Sequence, residues 1–260
     1  MNENQRIGID RRIRLEWLER TVLLLLAGLP EQDIARVLLE EVGTHLSVQR
    51  SGVKRGSGEK AVTNLMKTWI RVPSHLRPLR DAGLDLFKAT SQHLHIALHW
   101  GMILAVYPFW ASVASHTGRL LKLQGNVSPS QVQRRLKEQY GERSTVKDAT
   151  RRVLRSMHDW GVLKDTSEKG VYQASHPLVI SELALAAWLF EALLYTQQSQ
   201  QATLPSLIHA PSLFPFNLGR ITASELSSAS RGIDIFRQSL DDEIVVLKTP
   251  MKKKQCAVDG

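Results

Sequence analysis

Residues 111–173 constrain the fold more than any other part of the chain, because nearly every boundary in them carries its own start or stop signal. Residues 111–123 have helical spacing of apolar side chains, and Gly125 closes that helix. Ser128, Pro129 and Gln131 then stand at the N-cap, N1 and N3 positions of a second helix ending at Tyr140 and Gly141. A serine and a glutamine so spaced satisfy each other's backbone N–H groups, and proline loses nothing where no partner for its N–H exists. Ser144 or Thr145 is expected to cap a third helix reaching about Trp160, with Asp148 three residues beyond Thr145 completing a second capping box. Gly161 ends it. Residues 162–164 and 171–173 are short β-prone runs on either side of the polar turn 165–170, which predicts a small hairpin.

The third helix is two-faced. At about 100° per residue, Val146, Ala149, Val153, Met157 and Trp160 share one arc, and Lys147, Arg151 and Arg155 climb the opposite side. The first arc is suited to packing and the second to phosphates or base edges. Arg143, Ser144 and Thr145 fall at the helix start, where the dipole also favours an anion. Arg134 and Arg135 on the helix before, with Lys164 and Lys169 on the hairpin, complete a candidate nucleic-acid-binding set. Trp160 and Tyr172 read as core rather than as base-stacking residues. The charge is placed accordingly. The chain carries a net +9, and between Arg119 and Arg155 ten Lys and Arg face three acids, a local +7. Such an excess favours polyanionic partners. The plainer alternative is the solvated face of a structural helix.

The flanks are read as follows. Residues 10–27 form a helix stopped by Gly28 and Pro30, residues 31–42 a second helix ended by Gly43, and residues 47–58 a mobile basic loop. Further helices are expected at about 59–71, 74–90 and 93–107. Downstream lie an apolar helix over 178–195, a linker at 197–201 and an extended connector over 204–219 carrying Pro205, Pro211 and Pro215. A short helix at 221–229, a second hairpin from 233–237 and 244–248, and a disordered tail at 251–260 follow. The expected fold class is mainly α. It comprises a helical bundle (1–108), a central three-helix unit with a short β-hairpin (109–176) and a small C-terminal α+β extension (177–250).

Several function classes lack their residues. One cysteine, Cys256, permits neither an intrachain disulfide nor a cysteine-based zinc site, and suits a reducing, cytoplasmic setting. His95 and His99 share a helix face, but with no HExxH pattern, and with Glu138 the nearest carboxylate downstream, they and His93 and His116 read as core or hydrogen-bonding groups. No phosphate loop, dinucleotide-binding glycine pattern, nucleophile elbow or paired-carboxylate motif occurs, so no catalytic residue, cofactor or metal is expected. Residues 94–114 approach the length of a membrane span, yet His95, His99, Pro108 and Ser112 interrupt them. A buried helix broken near Pro108 is the preferred reading, and a membrane partner is not expected.

With these elements in order, residues 112–175 resemble the winged helix-turn-helix family, the likeness carried by SPSQVQRRL (128–136), ERSTVKDATRRVLRSMHDWGVL (142–163) and the run from Lys164 to Tyr172 as the wing. The resemblance implies contact with double-stranded DNA through the third helix and wing, although many members bind proteins instead. A helical N-terminal region joined to such a unit also resembles the A component of BREX phage-defence systems, a DNA-binding accessory protein. The expectation is thus a non-enzymatic DNA-binding protein, either a regulator or a subunit of a bacterial defence assembly. The competing expectation is a scaffold whose apolar segments 94–114 and 178–195 pack other protein subunits or a second copy of the chain.

Overall fold

The computed structural model describes residues 7–9, 11–49, 56–237 and 243–248. Asp10, most of the basic loop (50–55), the turn 238–242 and the tail with Cys256 lie outside the described residues. The fold is mainly α, with short strands in small sheets. Helices α1 (Leu15–Leu26) and α2 (Glu31–Gln49) form a hairpin, joined by a tight turn at Gly28. Two boundaries differ from expectation. The first helix starts at Leu15, because the backbone of Ile13 is bonded elsewhere, to Ser156 and Trp160. The second runs through Gly43 to Gln49 rather than stopping at Val42, an interior glycine costing a helix only about 1 kcal/mol.

After α3 (Ser57–Trp69) and α4 (Arg77–Ala89) comes α5 (His95–Val106), ten of whose twelve residues are buried. A helix apolar on all sides has to be central. The chain turns sharply at Tyr107, and α6 (Pro108–Gln124) leaves at 117° to the preceding helical segment, with Pro108 at the start of the new helix. No single helix among the described residues is long and apolar enough to cross a membrane.

Strand β1 (Asn126–Val127), helices α7 (Pro129–Tyr140) and α8 (Ser144–Asp159), and strands β2 (Leu163–Asp165) and β3 (Tyr172–Ala174) follow. The strands form an antiparallel sheet in the order β1-β3-β2, with Lys164 opposite Gln173 and Val127 opposite Tyr172. The predicted hairpin is therefore present, widened by a strand too short for the sequence pattern to reveal. Ser128 caps α7 as the spacing predicts, with both arms of its capping box formed. The second expected box is absent: Arg143 is the N-cap of α8, no side chain caps it, and Ser144 and Thr145 already lie within the helix. Gly161, at φ 73°, takes the left-handed turn that ends α8 and leads into β2.

In the C-terminal part the sequence reading needs two corrections. Residues 178–195 are not one helix, since β4 (Leu178–Val179) pairs in parallel with β6 (Phe216–Asn217) before α9 (Leu183–Leu194) begins. Nor is 204–219 simply extended. Strand β5 (Gln201–Thr203) leads into α10 (Leu204–Ile208), in which Thr203 supplies the cap and Pro205 sits in the first turn, where proline is tolerated. Helix α11 (Ala223–Ala229) and strands β7 (Ile233–Arg237) and β8 (Glu243–Leu247) complete the chain, with strand order β5-β8-β7.

One apolar cluster runs through the whole described chain. At its junction the Trp100 ring meets Trp110, Trp160, Phe214 and Phe216 edge-on at 5.7–6.0 Å, and its Nε1–H donates to Ser212 O at 3.0 Å. Helix α6 lies so close to the turn at Pro211 that a Cβ on Gly118 would sit 1.9 Å from Pro211 O. The apolar segments that could have served as docking faces, α5 and α9, are consumed inside: each is packed on the other, and Trp188 of α9 lies against Gly83 and Gly101.

Candidate nucleic-acid interface

Helix α8 owes its position to its buried side, which is wider than the apolar residues alone suggest. Val146, Ala149, Val153, Leu154 and Met157 are buried, and so are Thr150 and Ser156. Thr150 turns its hydroxyl back to Val146 O at 2.7 Å, and Ser156 donates to Arg152 O while accepting from Ile13 N–H at 2.9 Å. Trp160 is buried, as expected, and donates Nε1–H to Ile13 O at 3.0 Å; Tyr172 is half-buried beside the His158 ring. Extended residues 11–14 are thereby strapped along α8, a contact spanning more than 140 positions of sequence.

The opposite side is exposed and cationic. Ser144, Lys147, Arg151 and Arg155 follow one another along it, with the acidic Asp148 among them. Lys147 and Arg151 make no side-chain hydrogen bond or ion pair among the described residues, and the same is true of Arg134, Arg135, Lys164 and Lys169, all exposed. Gln133 reaches Lys147 O at 3.5 Å, so the flank of α7 adjoining Arg134 abuts the first turn of α8. Arg135 points to the other flank. Together with Arg119 it acts on His116 of α6, whose pKa is lowered by burial first and by these two arginines next, against an opposing pull from Glu138.

Two predicted residues do different work. Arg143 donates Nε–H and Nη2–H to Tyr140 O, at 3.1 and 2.8 Å, and so closes the end of α7. With no side-chain cap on α8, its first-turn donors at Ser144 and Thr145 lack a side-chain acceptor, an arrangement that favours an anion there. Arg155 is half-exposed, but its Nε lies 3.9 Å from Asp159 Oδ1. Asp159 also receives a close ion pair from Arg12 of the strap. Burial, then Arg155 and Arg14, push the Arg12 pKa below its ordinary value, which places three guanidiniums in one electrostatic neighbourhood. Arg12 and Asp159 thus adjoin the candidate surface, and the sequence reading did not include them. Periodicity cannot pair residues 147 positions apart.

The hairpin continues the surface from the far end of α8. His158 Nε2 and Asp165 Oδ2 are 3.0 Å apart, anchoring β2, and Lys164 lies next to this pair with Lys169 in the turn beyond. The free cations therefore concentrate on the N-terminal half of α8, on α7 and on the hairpin, and the C-terminal half of α8 is partly neutralised.

The histidines form no metal centre: among the described residues, no group of three His, Cys, Asp or Glu is placed to hold one. Instead Trp69 Nε1–H donates to His99 Nδ1 at 3.1 Å, which makes His99 Nε2 the protonated nitrogen facing Glu19 Oε2 at 3.0 Å. His95 Nδ1 meets Glu19 Oε1 at 2.8 Å. His95 and His99 are thus core hydrogen-bonding groups, held by a carboxylate from α1 that sequence distance concealed, whereas His93 is exposed.

No known protein family matches this chain, and neither curated proteins nor solved structures offer a match.

Proposed function

We propose that the unit from α6 to β3 is a winged helix-turn-helix, with β2, β3 and their turn as the wing, and that the chain is a non-enzymatic, cytoplasmic protein binding double-stranded DNA. The observation that carries this reading is the pair Lys147 and Arg151, exposed and unneutralised on a helix whose other face is fully committed to the core. A helix held this way presents its donors in a fixed row, as major-groove docking requires. Arg134, Lys164 and Lys169 extend the row to the neighbouring helix and the wing, where phosphate contacts would set register more than sequence choice. Arg143, bonded to Tyr140 O, contributes field more than free donors, and Arg135 keeps its donors on the other flank of α7. The biological role would be that of a regulator or of an accessory subunit in a bacterial phage-defence assembly, in which other protein subunits or a second copy of the chain join DNA as partners.

The test is a duplex-DNA titration of the Lys147→Glu, Arg151→Glu, Arg155→Glu variant across a range of salt. Affinity is expected to fall by about 10²-fold or more, and the slope of log K against log salt to flatten by roughly 0.9 for each phosphate that the variant no longer neutralises. Unchanged affinity rejects this site.

A further inference from the structure

A cleft of about 290 Å³ opens between α4, α9 and the segment that follows α11. Its walls are small or apolar: Ala82 and Leu86 from α4, Ala187 and Trp188 from α9, and Ala229 from α11. The Trp188 Nε1–H is already given to Leu79 O at 2.9 Å, so the indole offers the cleft hydrocarbon only. One acidic group is set into this wall from α9. Glu191 is 7% exposed and has no hydrogen-bond or ion-pair partner among the described residues. The backbone yields to it: a Cβ on Gly232 would lie 2.0 Å from Glu191 Oε2, so only glycine leaves the carboxylate its place.

Other charges around the cleft are engaged or peripheral. On α4, Asp85 is paired with Lys88 at 3.3 Å; Asp234 of β7 is paired with Lys248, just after β8, at 3.4 Å; Arg231 stands exposed at the rim, and Tyr195 is the C-cap of α9. Burial pushes the Glu191 carboxyl up to about 7, against a weaker opposing pull from Lys248. A withdrawn carboxylate gains most from a donor that is itself charged. Among the described residues none stands at hydrogen-bond distance, whereas the cleft has room for one. At about 30 Å³ per water-sized group, the space suits roughly ten heavy atoms, at the small end of ligand pockets.

We infer that this cleft binds a compact apolar amine in its ammonium form, the N–H groups bonded to Glu191 and the hydrocarbon part laid against Leu86, Ala187 and Trp188. The site is separate from the α8 surface, so its test is independent of the DNA-binding reading. Calorimetric titration of the full chain at pH 8 compares cyclohexylamine with cyclohexanol, which share a ring and differ in the charged group. The amine is expected to bind at least tenfold more tightly, and to lose most of that advantage at pH 5.5, where Glu191 is protonated. Glu191→Gln should abolish the difference between the two probes. That variant replaces a buried charge by a neutral amide and is expected to keep the wild-type circular dichroism. Ala184→Phe, at the exposed mouth of the cleft, leaves the core untouched and should block both probes. Absence of amine binding at pH 8, equal binding of amine and alcohol, or amine binding that survives Glu191→Gln or Ala184→Phe overturns the assignment.

Discussion

Glu19 on α1 and Glu191 on α9 are both withdrawn from water, yet the fold treats them in opposite ways. Glu19 meets two imidazoles, one of them fixed in tautomer by Trp69. Burial acts to raise its pKa, but the bonds from His99 and His95 outweigh that and leave it below the ordinary value. Among the described residues Lys248 alone offsets burial at Glu191, and its pKa rises to about 7. The first carboxylate is a structural joint between α1 and α5. The second is a cost that the described side chains do not repay, and such groups are where ligand sites are sought.

Removing each group should separate the two cases. Glu19→Ala leaves His95 and His99 without their acceptor in a nearly water-free setting, and is expected to cost about 3 kcal/mol in urea unfolding at pH 7. Glu191→Gln is expected to do the reverse, stabilising the protein at pH 8 by about 2–3 kcal/mol. That gain should vanish as the pH falls toward 4.5, the ordinary value at which the unfolded carboxyl also takes up its proton. A destabilised Glu191→Gln protein at pH 8 would erase the contrast.

The pH profile sharpens it further. Glu191, with its folded pKa raised, favours the folded state below 4.5 and loses that advantage as the pH rises through about 7. Glu19, with its folded pKa lowered, contributes stability above 4.5 that disappears as the pH falls through its lower folded value. His99 is lowered by burial against the opposing Glu19, so it too supports the fold above 6.5 and not below. Between pH 5 and 7 the Glu191 and His99 contributions therefore run in opposite directions, and Glu191→Gln should unmask a steeper loss of stability on acidification. Parallel curves for the two proteins would contradict the assignment.

Asp159 supplies an intermediate case, a carboxylate shared by half-exposed Arg155 and partly exposed Arg12. Asp159→Asn should cost about 1 kcal/mol, since Asp159 is largely buried but both of its arginine partners reach solvent. On the DNA-binding reading it should also tighten duplex binding two- to threefold at low salt, as both guanidiniums are released. Fluorescence anisotropy with labelled duplex measures this, and weaker binding would mean that Asp159 is needed to aim them.

How far the sequence could be read depended on distance along the chain. The Ser128 cap, Gly161 and the hairpin at Leu163–Asp165 and Tyr172–Ala174 are local signals, and all were legible. The exposed row Lys147, Arg151 and Arg155 was legible from helical phase. Asp159, i,i+4 from Arg155, lay within reach of the same helical spacing, whereas Arg12 did not, because it meets Asp159 only after the chain has folded back on itself. Helices α5 and α9, buried on every side, carry no periodic contrast, so the single acid in the run Leu183–Leu194 gave no sign of being set into a cleft. The misread cap of α8 has a simpler cause. Ser144 and Thr145 are good capping residues by type, but the turn after Gly141 places Arg143 at the junction.

The meeting of Trp100 with aromatic rings from α6, from the end of α8 and from residues 214–216 sets how the molecule can come apart. A fragment cut at 108 or 176 would carry a torn aromatic face, and would precipitate or unravel rather than persist as a module. Limited proteolysis should accordingly yield whole chain and small peptides with no durable half between them, and heat should melt the protein in a single cooperative step.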